Sequence, residues 1–409
     1  MSFTLPFPVR IRSFDRGPAL RACYAFANCV SRRRISLGAS HAHIAFVFAL
    51  VMILTGCAGK PGPELLLNTV NSVEGARIVT VYVATTRERD ETGAFTSGRS
   101  RQVSYLRYKI SIPPGHKAGN VEWPKSRPNP KTDFVTVEQQ LLDPVAFENE
   151  ISRKRNGKPP TVGLFIHGFN TNFTQSVFRT AQVAFDADPD ATPVLFAWPS
   201  EATVDGYVTD KDAATYSRDQ LTQLMTSLAR TRTAGPITVM GHSMGAWLTV
   251  EALRQLRISG NNATIRRLQV ILAAPDIDVD VFTAQITAIG QLSPPMTILV
   301  SRDDVALRVS EFLSSERHRV GRMDVNAPDV QAAVRAAGIQ VVDITDLPTD
   351  DAFKHGGLFA IVARYRGFSD ADAYRADPGL RHTGAFVFNA VGATLSSPFV
   401  LAGQIIGGK

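Results

Sequence analysis

Cysteine is scarce in this chain, three in 409 residues, too few for the disulfide framework that staples small secreted domains. A C-x-x-C pair, an H-E-x-x-H helix and a phosphate-cradling G-x-x-x-x-G-K-[ST] loop are also missing. The sequence therefore carries no recognisable zinc, dithiol or P-loop signature. There is no internal repeat and no low-complexity block, and 44% hydrophobic with 20% charged residues excludes collagen-like and disordered classes. The length allows two domains or one large α/β domain. A formal net charge of +7 would suit a polyanion or a membrane surface, yet residues 1–56 alone hold seven arginines, no lysine and one acid, Asp15. That leaves +1 for the remaining 353 residues, so a nucleic-acid partner loses its support.

The same N-terminus has the layout of an export signal. Arg32-Arg33-Arg34 is followed by the uncharged run of residues 44–54, shorter than the roughly 20 residues that an ordinary membrane span requires. Leu54-Thr55-Gly56-Cys57 then resembles the bacterial lipobox. That resemblance implies cleavage before Cys57, acylation of its sulfur and its new amine, and, with Ala58 next, the outer membrane facing the periplasm. An uncleaved N-terminal anchor is the alternative. Cys23 and Cys29 lie upstream of the cleavage point, so the mature chain would keep Cys57 alone. The expected organisation is a signal peptide over 1–56, a Gly/Pro-rich tether over 57–76, a main domain over 77–380 and an apolar tail over 381–409, uncharged from 384 to 408.

Three β-branched runs, at 77–84, 103–112 and 133–138, read as antiparallel strands opening a sheet. From residue 160 short apolar runs alternate with helical segments, at 162–167, 193–198, 236–241, 268–274, 296–301 and 339–344. Such alternation predicts an α/β fold with a mostly parallel sheet and helices on both faces.

The strongest local signal is Gly241-His242-Ser243-Met244-Gly245, with an apolar run before it and a helical segment after it. This is the G-x-S-x-G nucleophile elbow in its required context, and it makes Ser243 the candidate nucleophile. Phe165-Ile166-His167-Gly168-Phe169-Asn170 ends an earlier strand, where such folds present one oxyanion-hole N–H, the other following the nucleophile. Those donors are then Phe169 and Met244, with Asn170 as an alternative and His167 as a brace for the turn. In the order Ser, acid, His, the acid falls at Asp303 or Asp304 after the strand at 296–301. The base falls at His355, after the strand at 339–344; His318 lies before that strand and His382 well beyond it. Residues 201–215 and 315–336 are long enough to cover the site.

Together the motifs VYVATTR (81–87), SIPPGHKAG (111–119), FIHGFN, FAWPS (196–200), GHSMG, LAAPDID (272–278) and SRDDVAL (301–307) resemble a bacterial family of α/β-hydrolases of unassigned function, esterase/lipase-like. The resemblance spans about residues 77–365. It implies the α/β-hydrolase fold, places the acid on Asp304 with Asp276 in reserve, and implies a serine hydrolase of carboxylic esters working through an acyl-enzyme on Ser243, with no cofactor. Acyltransferase, thioesterase or amidase chemistry with the same triad is the alternative, as is a non-catalytic envelope lipoprotein. The expected partners are an ester or acyl small-molecule or lipid substrate and a membrane.

Overall fold

A computed structural model describes residues 59–345, apart from 125–126, 155–156, 158, 232–234 and 315–316, together with the backbone of Phe386–Phe388. Cys57, His355 and His382 lie outside the described residues. The strands are β1 (Arg77–Arg89), β2 (Phe95–Ile112), β3 (Val135–Leu142), β4 (Val162–Ile166), β5 (Thr192–Ala197), β6 (Ile237–His242), β7 (Leu268–Ala273), β8 (Thr297–Val300), β9 (Gln340–Asp343) and a short β10 (Phe386–Phe388). The helices are α1 (Glu64–Leu67), α2 (Pro144–Ile151), α3 (Phe173–Ala187), α4 (Tyr207–Tyr216), α5 (Arg218–Arg230), α6 (Met244–Ile258), α7 (Asn262–Ile265), α8 (Val279–Ile289), α9 (Val305–Leu313) and α10 (Pro328–Ala337).

The ten strands among the described residues join one sheet, in the order β10-β9-β8-β7-β6-β4-β5-β1-β2-β3. Pairing is parallel from β9 through to β1 and antiparallel for β1 with β2, β2 with β3, and β9 with β10. The sequence explains the split. β5 (TPVLFA) and β7 (LQVILA) are buried at every position, as strands covered by helices on both faces must be. β2 instead alternates, with Leu106, Tyr108 and Ile110 buried, while Arg107 and Lys109 reach Glu150 and Glu138 at 2.8 and 2.6 Å.

Each face of the sheet carries its own apolar core, one with Leu221, Leu224, Leu248 and Leu253 of α5 and α6, the other with Val177 and Phe178 of α3. Helix starts follow the side chains available: Asn172 caps α3 in a reciprocal box with Gln175, and Asp143, Asp278 and Asp304 cap α2, α8 and α9.

Two segments differ from their compositional reading. The Gly/Pro-rich stretch read as a tether is bound to the domain from Lys60 onward: Leu65 and Leu66 of α1 are buried, and the Thr136 hydroxyl donates to Leu65 O at 2.7 Å. Two adjacent leucines suffice to dock a stretch whose overall composition is polar. In the apolar tail, residues 386–388 add a strand to the sheet edge, Phe386 opposite Asp343.

Candidate active site

The ends of β4, β6, β7 and β8 deliver the candidate residues to one edge of the sheet. β6 stops at His242 and α6 begins at Met244, leaving Ser243 between them at φ 55°, ψ −120°. A non-glycine residue rarely holds such a backbone, which costs about 1–3 kcal/mol and persists only where its surroundings over-determine it. Here they do. Ser243 N donates to Ala273 O at 2.9 Å, and Ser243 O accepts from Ala246 N at 3.0 Å and Asp276 N at 3.3 Å. The flanking glycines are steric necessities: a Cβ on Gly245 would meet His167 O at 2.3 Å, and one on Gly241 would meet Ala246 Cα at 2.7 Å.

The turn after β4 lies directly against the serine. A Cβ at Gly168 would sit 2.9 Å from Ser243 Cβ. Phe169 follows, and among the described residues neither its N–H nor that of Met244 has an acceptor. Asn170 takes φ 58°, which reverses the chain. His167 braces the turn from beneath. Its ring stacks on Trp198 at 4.8 Å, its nitrogens lie 2.9 Å from Gly168 O and 3.1 Å from Trp198 O, and Trp198 Nε1 donates to His167 O at 2.8 Å. Burial, aided by the nearby Arg87 charge, pushes His167 down to about 3. It therefore stays neutral at physiological pH and is a poor proton acceptor.

A buried network that the sequence motifs did not reveal holds this turn in place. Arg87 donates to Thr171 O, Ser200 O and Thr96 O at 3.0–3.1 Å. Asp210 of α4 accepts from Ser200 Oγ at 2.6 Å, Glu201 N at 2.6 Å and Asn170 N at 3.3 Å. Burial lowers Arg87 to about 10 against the opposing pull of Asp210 and Glu201, and burial raises Asp210. Three separate motifs, VYVATTR, FIHGFN and FAWPS, thus meet around one loop. Their joint presence was the available signal, and Asp210 had none.

The three acids have different surroundings. Asp304 is fully buried at the end of β8, with one oxygen accepting Leu307 N at 2.9 Å. Asp303 is exposed beside it. Asp276, after β7, is buried, and both its oxygens are engaged: Oδ1 by Ser310 Oγ at 2.6 Å and Arg319 Nε at 3.2 Å, Oδ2 by Tyr207 Oη at 2.9 Å. Asp276 thus binds α4 to α9. His318 points outward, its side chain 90% exposed. Residues 201–215 contain all but the last residue of α4, whose Tyr207 packs edge-on against Phe169 at 5.3 Å. Residues 315–336, where described, contain the single turn Val320–Arg322 and most of α10. Beside Tyr207 lies an open groove of about 620 Å³ lined by Lys211, Asp278, Val281, Ser314 and Arg319.

The esterase Est22 aligns at 12% identity over 83% of this chain and 88% of its own, with a TM-score of 0.32. One of two fungal esterases from Rhizomucor miehei aligns at 13% over 83% and 95%, with a TM-score of 0.30. No curated protein matches the chain significantly. The model of a family described as alpha/beta hydrolase of unknown function (DUF900) matches residues 144–363, more than half of the chain, and the chain belongs to that family.

Proposed function

We propose that the protein is a serine hydrolase of carboxylic esters. The observation that carries this is Ser243, held at positive φ at the head of α6 with the glycine turn of β4 against its Cβ. In the proposed cycle Ser243 Oγ attacks the ester carbonyl carbon while His355 takes its proton. The N–H groups of Phe169 and Met244 receive the developing oxyanion. His355 then protonates the departing alcohol, leaving an acyl-serine that water hydrolyses by the same steps in reverse. Asp304 is the acid that orients His355. It is favoured over Asp276 because Asp276 is already held by Tyr207, Ser310 and Arg319.

Ser243→Ala should lower turnover of short-chain aryl esters at least about a thousandfold with an unchanged melting temperature. It should also abolish labelling by a fluorophosphonate. Wild-type levels of either would refute the assignment. The chain is further proposed to be tethered to the outer membrane by acyl groups on Cys57, and retention of metabolic palmitate label by Cys57→Ser would refute that.

A further inference from the structure

Where the chain enters the domain and where its exposed apolar side chains gather are two independent observations, and both involve α4. The entry is tied to the oxyanion loop. Lys60 Nζ donates to Asn170 O at 2.5 Å and to Asn170 Oδ1, Asn172 Nδ2 donates to Pro61 O at 2.8 Å, and Thr174 Oγ1 to Gly62 O at 3.0 Å. Asn170 N in turn donates to Asp210 of α4, so the entry point and the first turns of α4 are linked by hydrogen bonds.

Among the described residues, ten large apolar side chains are exposed, and six of them lie on or just before the helices that border the groove beside Tyr207, with Val208 and Val281 in its lining. They are Val204 and Val208 before and within α4, Val281 on α8, and Val309, Phe312 and Leu313 on α9; Phe312 is 75% exposed and both Val204 and Val208 are 72% exposed. Scattered apolar side chains are ordinary on a surface, whereas a rim gathered around one groove marks a docking face. The upstream sequence indicates the occupant. Cys57 precedes Lys60 by three residues and Leu54 precedes it by six, at most about 11 and 22 Å of extended chain. Whether acyl groups on Cys57 or the uncharged run at 44–54 forms the anchor, it is joined to Lys60 by no more than that length of chain.

We infer that this rim seats the mouth of the Ser243 site on the anchoring bilayer, and that the substrates are acyl esters resident in that bilayer. The substrate half rests on the proposed esterase activity; the docking half does not. In the test, full-length chain is reconstituted in vesicles of phosphatidylethanolamine and phosphatidylglycerol containing brominated acyl chains. A tryptophan introduced by Phe312→Trp should be quenched, and one introduced by Ile258→Trp, on the exposed end of α6, should not. No quenching at 312, or equal quenching at both, overturns the docking. The double variant Val204→Asp/Phe312→Asp should keep its turnover of a water-soluble ester while losing about tenfold on a vesicle-embedded diacyl ester. Unchanged embedded-ester turnover overturns the substrate assignment. Absent soluble-ester turnover in the unaltered chain would instead defeat the esterase reading and leave quenching to judge the docking. A Phe312-dependent dimer without quenching assigns the rim to a second copy and overturns the bilayer.

Discussion

Gly168 illustrates how closely the candidate site is packed. A methyl group there would stand 2.9 Å from Ser243 Cβ and 3.0 Å from His242 Nδ1, and only a shift of the serine or of the β4 turn could accommodate it. Because Phe169 follows directly, such a shift moves the nucleophile and one oxyanion donor apart. Gly168→Ala should therefore cost roughly a hundredfold in ester turnover with little loss of melting temperature, since the surrounding cores are untouched. Equal kcat/KM for the two proteins would refute the close approach as a catalytic constraint. At the same scale, Gly241 and Gly245 were legible from the motif, because its glycine spacing encodes the collision it avoids. The burial of His167 was not legible, since nothing local specifies that Trp198 will lie against its ring.

Between elements, two buried charged clusters hold the fold. Arg319 and Asp276 are 5% and 3% exposed. Arg319→Met leaves Asp276 buried without its cation and should destabilise the protein by about 3–5 kcal/mol, as measured by urea unfolding. The second cluster fastens the loop after β2 to α3: His116 lies between Glu122 at 2.7 Å and Asp186 at 3.0 Å, its side chain 5% exposed. Burial opposes its charge, but hydrogen bonds with Asp186 and Glu122 outweigh burial and raise its pKa above the ordinary 6.5. The stabilisation is thus complete below pH 6.5 and is lost as pH rises through the raised folded-state value. Asp186 is shifted the other way. Burial alone would raise it, but the bonds from His116, Gly119 N and Gln182 lower it, so its share is lost as acid protonates it below the ordinary 3.8. The stability gap between wild type and His116→Gln should be about 1.5–3 kcal/mol in mildly acidic buffer and should narrow on alkalinisation. A gap constant with pH would show that His116 acts by packing alone.

For the whole molecule, the consequence lies at its amino-terminal boundary. Leu66 is 2% exposed and Leu65 9%, so a chain beginning at residue 68 should be about 3 kcal/mol or more less stable than one beginning at Lys60. Equal urea midpoints would restore the tether reading of this segment. The described residues contain no helix long and apolar enough to cross a membrane.

Nine of the ten strands among the described residues were legible in the sequence, as were the parallel pairing of the central ones, the glycine-flanked serine and the position of Asp304 after a strand. Each is a local matter: side-chain period, turn sterics and helix capping depend on residues a few positions apart. The tertiary structure alone decided that Asp276 faces Arg319, Tyr207 and Ser310, that Arg87 and Asp210 brace the oxyanion loop, and that Lys60 docks beside Asn170. These contacts join residues 34 to 110 positions apart. Nothing in the neighbourhood of either partner selects them; the strand order of the sheet does.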